Sequence, residues 1–311
     1  MNVETHVAAA MEGISAAARL LADGGLVALP TETVYGLGAD ALDPVACAKI
    51  FEAKDRPLSD PLIVHIPSID WMGRLAVASE PARLLAEHFW PGPLTLVLPR
   101  REIVPDLVTA GQETVAVRMS SHPVFQAVLE AFGKPVAAPS ANRFGRISPT
   151  CAADVLAELG GRIPLVLDGG PCAHGIESTI VLVDGDGLHI LRNGPVTEEE
   201  LAAFAPVHGS VAGISAPGGL LSHYAPRTPM RIGEAVPKPN FGFLSWQCTG
   251  DGFARVEHLS KTQDLREAAA NLYGAMRRLD EAGLDGIIAE PVPETGLGAA
   301  IMERLRKASA R

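Results

Sequence analysis

The sequence predicts an α/β protein in two parts, and three observations carry that prediction. Short runs rich in Val, Ile and Leu alternate with amphipathic stretches over the first two-thirds of the chain. A segment rich in Gly, Pro and Ser, with neither periodicity, follows at about 205–229, and a second, shorter alternation closes the chain. Strands repeat their apolar positions every second residue and helices every three to four, so this alternation is what a sheet flanked by helices requires.

In chain order the strands read as 26–30, 62–66, 94–99, 114–119, 135–140, 163–168 and 178–183. Each is a short apolar run closed by Pro, Gly, Asp or Ser. Helical spacing lies between several of them, at Val45 to Glu52, Pro81 to Phe89, Val124 to Phe132 and Ala152 to Leu159. The pattern does not give strand direction. Beyond the Gly/Pro-rich segment, "MRIG", "FGFLSW" and "GIIAEP" read as strands, and Gln263 to Ala282 as a long helix with Leu265, Leu272, Met276 and Leu279 on one stripe. The chain therefore divides into a larger part over 1–208, a linker over 209–229 and a smaller α/β domain over 230–311.

At 311 residues, 47% of them hydrophobic, the chain is long enough to bury a substantial core. No apolar stretch approaches the roughly 20 residues that a membrane-spanning helix needs. The N-terminus is acidic where a signal peptide would be basic, so we expect a cytoplasmic protein that does not bind membranes. The cysteines Cys47, Cys151, Cys172 and Cys248 form no C-x-x-C pair, which suits reduced thiols and neither a zinc site nor a disulfide framework. Net charge is −10, with 14 basic against 25 acidic residues over 1–208 and 12 against 11 over 209–311. Neither part is a basic platform, so stable nucleic-acid binding is not expected.

The chemistry-bearing residues fall mostly at the ends of the predicted strands. "LPTETVYGLGAD" ends a strand in Thr31, Glu32 and Thr33 and continues through Gly36 and Gly38, a transition that admits a small ligand close to the backbone. "EAKDRPLSDPLIVH" holds Lys54 and Arg56 two apart, before a strand that closes on His65. In an extended chain, residues i and i+2 project the same way, so the pair is expected to converge on one anion. Arg118 ends the strand of "VAVRMSSHP", and Arg192 follows the apolar pair Ile190–Leu191. A guanidinium at a strand end can grip a carboxylate or phosphate through two parallel hydrogen bonds. "AAPSANRFGRISPT" is a loop dense in donors, presenting Ser140, Asn142 and Ser148 between two prolines, and "GIESTIV" brings Ser178 to the start of a strand. Together these predict a pocket for a polyanionic small molecule, a nucleotide above all.

Seven motifs in this order, "PTETVYGLGADA", "KDRPLSDPLIVHI", "WPGPLTLVL", "VAVRMSSHP", "APSANRFGRISPT", "GIESTIV" and "LRNGP", resemble the YrdC-like family of L-threonylcarbamoyladenylate synthases. "SHYAP" and the C-terminal tail look like the long form of that family, which carries an added domain. The resemblance implies a YrdC-like twisted mixed sheet with flanking helices, followed by a small Rossmann-like α/β domain. It also implies a reaction in which L-threonine, bicarbonate and ATP give threonylcarbamoyl-AMP and pyrophosphate. The product would feed downstream proteins that transfer the threonylcarbamoyl group to tRNA next to the anticodon.

Carried over position by position, the resemblance implies a threonine site of Thr33, His65, Arg118, Ala138 and Ser178. The implied nucleotide site is Arg56, Asp60, Thr114, Ser140, Asn142, Ser148, Arg192 and Tyr224. Lys54 with Arg56 matches the family's K-x-R signature and is expected to be catalytic, stabilising charge on the phosphoryl oxygens together with Mg²⁺ bound to ATP. No resident metal is expected. Tyr224 lies in the linker, which we therefore expect to act as a lid. Two positions depart from the family pattern: Asp60 stands where Asn is frequent, and Ser120 where Pro is common, a change expected to alter only loop stiffness. Two other readings compete. An RNA-binding module would carry excess cations and exposed aromatics, and a carbamoyl-transfer domain of hydrogenase-maturation type would come with cysteine-rich zinc modules.

Overall fold

A computed structural model of the chain describes residues 3–185, 187–209, 216–218 and 223–310. Of the predicted linker, residues 210–215 and 219–222 lie outside the described residues. Among those described, the strands are β1 (His6–Ala9), β2 (Val27–Leu29), β3 (Gly36–Asp40), β4 (Ile63–His65), β5 (Leu94–Pro99), β6 (Thr114–Arg118), β7 (Val136–Ala137), β8 (Leu165–Asp168), β9 (Thr179–Asp184), β10 (Gly187–Arg192) and β11 (Val207–His208). They form one mixed sheet in the order β1-β8-β2-β3-β7-β4-β6-β5-β9-β10-β11. A second sheet holds β12 (Met230–Ile232), β13 (Phe241–Ser245), β14 (Arg255–His258) and β15 (Gly286–Ala289), all parallel, in the order β12-β15-β13-β14.

Two local expectations need correction. The glycine stretch after Thr33 reads as a turn, yet Gly36–Asp40 is strand β3, antiparallel to both β2 and β7, with Gly36 still on the cleft described below. The glycines there admit close neighbours: a Cβ on Gly36 would lie 3.2 Å from the Ala138 Cβ, and one on Gly38 would lie 2.9 Å from the Val136 side chain. The second correction concerns Lys54 and Arg56, which do not share an extended segment. Lys54 is the last residue of the helix Pro44–Lys54, whose start is fixed by the Asp43 side chain accepting from the Val45 amide and by Pro44 in the first turn. Asp55, with φ of 53°, turns the chain out of the helix in left-handed geometry, and only then does Arg56 begin the loop before β4.

The larger core lies on one face of the central strands, with Leu37, Val64, Leu96, Val117 and Val166 almost wholly buried, and the alternate residues of those strands form separate clusters on the other face. The smaller core packs the helix Leu265–Asp280 through Leu272, Met276 and Leu279 against Ile287 of β15 and Ile301 and Leu305 of the last helix. Burying each such side chain contributes about 1.5–3 kcal/mol. This second cluster does not stop at the second sheet: Val34, Ile147, Ile176 and Tyr224 belong to it. The two parts of the chain thus share a core, and the seam runs beside the candidate site.

Candidate active site

Sheet register assembles the site. In the parallel pair β4–β6, His65 is the partner of Arg118, and in β5–β6 Arg118 is the partner of Thr95. Thr95 in turn shares a hydrogen bond of 2.8 Å with Ser178, just before β9. Neighbouring strand ends therefore bring together residues far apart in sequence. They open on a cleft whose walls include Thr31, Thr33, Arg56, His65, Arg118, Ala138, Ser140, Glu177, Arg192, Gly218, His223 and Tyr224.

Three guanidinium groups meet there, each below one-tenth exposed. Arg118 pairs with Glu32 at 2.8 Å and donates to the carbonyl of Gly92. Arg56 pairs with Asp60 at 2.9 Å and donates to the carbonyls of Asp60 and Pro61. Arg192 donates to both the carbonyl and the hydroxyl of Ser178, each at 3.0 Å, and to the carbonyl of Pro217 at 3.1 Å. Burial of a charge is tolerated only where such partners exist.

The neighbouring groups are tuned accordingly. Burial raises the Glu32 carboxyl, but the Arg118 cation and the Ser120 hydroxyl outweigh it and bring the group down to about 2. Burial raises Asp60, with the Arg56 cation opposing. Burial, reinforced by the Arg118 cation, pushes His65 down to about 3, so its imidazole is neutral near pH 7. Its Nδ1 is buried without a hydrogen-bond partner among the described residues, and its ring lies 4.7 Å from that of Phe125.

Lys54 stands apart from this group. Its ammonium is buried and donates to the carbonyls of Ser140 and Asn142, pinning the 138–150 loop, and it is not among the residues lining the cleft. Burial above all, with the Arg56 cation, pushes Lys54 well below the ordinary lysine range. Asn142 holds the same loop by donating to the carbonyls of Arg143 and Arg146, and Ser148 donates to Glu177. Thr114 is not brought to the cleft. It lies at the opposite end of β6 from Arg118, about 13 Å away at 3.3 Å per residue, although alternation gives the two the same strand face.

Sequence reasoning gave no role to Glu32, Glu177, His223 or Arg304. Glu32 had a signal in the expectation that Arg118 would grip a carboxylate. Ser120 is a correction: it is buried, and its hydroxyl donates to Glu32 Oε2, so it does more than set loop stiffness. Glu177 accepts from Ser148, from the Tyr273 hydroxyl at 2.9 and 3.0 Å, and from Arg304 at 3.0 Å.

A two-part α/β protein whose larger sheet ends on a cleft walled by three arginines belongs to the class of α/β proteins built to hold a small anionic ligand at their strand ends. Residues 19–194 match the Sua5_yciO_yrdC family, described as "Telomere recombination", and residues 196–310 match "Threonylcarbamoyl-AMP synthase, C-terminal domain". Threonylcarbamoyl-AMP synthases of Bacillus subtilis and Pyrococcus abyssi are each 42% identical to it, over 95% of this chain and 92% and 94% of theirs. A crystal structure of Pyrococcus abyssi Sua5 complexed with L-threonine superposes with a TM-score of 0.88 at 39% identity, covering 99% of this chain and 98% of that one. The chain belongs to the threonylcarbamoyl-AMP synthase family, whose members are adenylyl-transferring enzymes.

Proposed function

We propose that this chain makes threonylcarbamoyl-AMP and pyrophosphate from L-threonine, bicarbonate and ATP, for threonylcarbamoyl transfer to tRNA by downstream proteins. The observation that carries the reading is the convergence of Arg56, Arg118 and Arg192 on one cleft with Thr33, His65, Ala138 and Ser140. The amine nitrogen of threonine bonds the carbon of bicarbonate and water leaves, giving a carbamate. One carbamate oxygen then bonds the α-phosphorus as the bond to pyrophosphate breaks. Both partners are anions, so the step needs cations that are already oriented.

Arg118, next to His65 and Thr33, suits the threonine carboxylate and hydroxyl. Arg56, Arg192 and Ser140 suit the phosphates. Ile63, which belongs to the buried apolar cluster of this strand face and lines the cleft, suits contact with a purine ring. Mg²⁺ arrives with ATP as part of the substrate, and the nearby carboxylates Asp60 and Glu177 are engaged by Arg56 and Arg304. Lys54 serves the reaction by holding the carbonyls of Ser140 and Asn142, so that the loop meets ATP in one conformation. Catalysis thus belongs to residues 1–208, with 209–229 as a lid and 230–311 as a supporting α/β domain.

The test is pyrophosphate release from ATP, measured with and without threonine and bicarbonate, for the wild type and Arg56→Ala. Release that requires both co-substrates and falls at least about a hundredfold in the variant supports the reading. Release independent of threonine overturns it.

A further inference from the structure

The C-terminal part reaches the cleft through the helix Leu297–Ser309. Arg304 on this helix is wholly buried, and its hydrogen-bond partners all belong to the larger part of the chain. Nε donates to Glu177 Oε2 at 3.0 Å, one terminal nitrogen to the Asn193 carbonyl at 2.6 Å, and the other to the Glu177 carbonyl at 3.5 Å. Glu177 comes two residues before β9 begins, and Asn193 follows the last residue of β10. These two strands pair antiparallel, so Arg304 bridges the open end of their hairpin. Arg192 leaves from that same end toward the cleft, anchored on Ser178.

One turn further along the helix, Lys307 donates to the carbonyl of Gly218 at 2.7 Å, while Arg192 donates to the adjacent carbonyl of Pro217 at 3.1 Å. The segment 217–218 forms part of the cleft wall and is held by one cation from each part of the chain. A helix that merely docked the second sheet would need neither contact, because apolar residues alone would cover the seam more cheaply than a buried guanidinium does.

We propose that Arg304 and Lys307 are positioning residues of the adenylyl-transfer reaction: Arg304 fixes the hairpin end that aims Arg192, and Lys307 latches the 217–218 segment across the cleft. This rests on the cleft being the site where ATP reacts, as proposed above. Neither side chain lines the cleft: Arg304 acts through Glu177, the hairpin end that carries Arg192, and the Tyr224 ring, which its guanidinium overlies at 5.4 Å, and Lys307 acts through the backbone of 217–218. Their loss therefore disturbs the nucleotide side of the reaction and leaves KM for threonine nearly unchanged.

The experiment uses the full chain and four proteins: wild type, Lys307→Met, Lys307→Arg and Arg304→Met. It reads kcat, KM for ATP and for threonine, the fraction of released pyrophosphate recovered as adenylate, the ATP dissociation constant, and Tm. We expect Lys307→Met to lower kcat/KM for ATP about tenfold and to lower the recovered fraction, with Tm within a few degrees of wild type. Lys307→Arg restores most of the loss. Arg304→Met lowers kcat/KM for ATP about a hundredfold, and if it does not fold, the Lys307 pair decides alone. The proposal is overturned if Lys307→Met keeps wild-type turnover and adenylate recovery, or if a loss of activity tracks Tm and Lys307→Arg does not restore it. A wild type without threonine-dependent turnover defeats the functional reading instead. The latch is then judged on ATP affinity, where an unchanged dissociation constant in Lys307→Met overturns it.

Discussion

Glu32 Oε1 lies 2.8 Å from the guanidinium of Arg118, and both side chains are below one-tenth exposed. Ser120 donates to the other carboxylate oxygen, so the acid is saturated from two sides and its neighbour is held facing the cleft. Removing one member of such a pair strands the other charge away from water.

Glu32→Gln keeps the shape and loses the charge, and is expected to cost about 3 kcal/mol at pH 7. The folded carboxyl titrates at about 2 against an ordinary 4.5. Its contribution is therefore complete above pH 4.5 and is lost as the pH falls toward 2. Urea unfolding of wild type and variant should show a gap at pH 7 that narrows steadily below pH 4.5. A gap of constant size across that range would assign the loss to packing and not to charge.

His65 and His223 also make stability fall with pH, but through the cost of burying a charge and not through a favourable ion pair. Burial is the largest cause for both, and each is pushed down to about 3. The unfolded chain takes up protons on these rings as the pH falls below 6.5 while the folded chain does not, so stability declines between pH 6.5 and 3. Each ring accounts for a slope of about 1.4 kcal/mol per pH unit in that window. His65→Asn and His223→Asn should each flatten the pH dependence of the urea midpoint, and curves parallel to wild type would refute the assignment.

Much of the larger sheet was legible in the residues because local pattern and burial agree there. The run 94–99 is β5, 114–119 contains β6, and Ala152–Leu159 is a helix at both of its expected ends. Pattern failed where a side chain acts over a long range. Glu177 and Arg304 are 127 residues apart, and Ser120 and Glu32 are 88 apart, so nothing local marks either pair. The K-x-R spacing failed differently, because one residue of the triplet, Asp55, reverses the backbone and removes the extended geometry that would have made Lys54 and Arg56 parallel. Arg118 and Arg192 were legible as candidates since an arginine closing an apolar strand has few structural uses, and Arg56 as a member of the cation pair ahead of a strand. Their convergence came only with the register of β4, β6 and β5.

Asp60 neutralises one of the cations that ATP would meet. The pair with Arg56 is short and buried, and burial holds the Asp60 carboxyl above its ordinary range. Asp60→Asn keeps an acceptor for the guanidinium and releases its charge toward the cleft. The expected result is a KM for ATP about three- to tenfold lower, with kcat changed less, since about 1 kcal/mol of phosphate attraction is recovered. An equal or higher KM would mean that Asp60 orients Arg56 more than it screens it.

Gly218 and Tyr224 test the lid directly, because they meet each other in the described part of the linker. Gly218 has φ of 80°, where a side chain is strained, and a Cβ there would overlap the Tyr224 hydroxyl. That hydroxyl is buried with no hydrogen-bond partner among the described residues, and its ring stacks edge-on against His223 at 4.2 Å. Gly218→Ala should therefore displace the 217–218 carbonyls that Arg192 and Lys307 hold, lowering kcat/KM for ATP by about tenfold or more. Tyr224→Phe removes the atom in collision without removing the ring, so the double variant Gly218→Ala/Tyr224→Phe should recover part of the activity that Gly218→Ala loses. Tyr224→Ala removes the ring as well and should weaken ATP binding on its own. Strictly additive losses in the double variant would show that the two residues do not act through one another, and an active Tyr224→Ala would remove the linker from the working site.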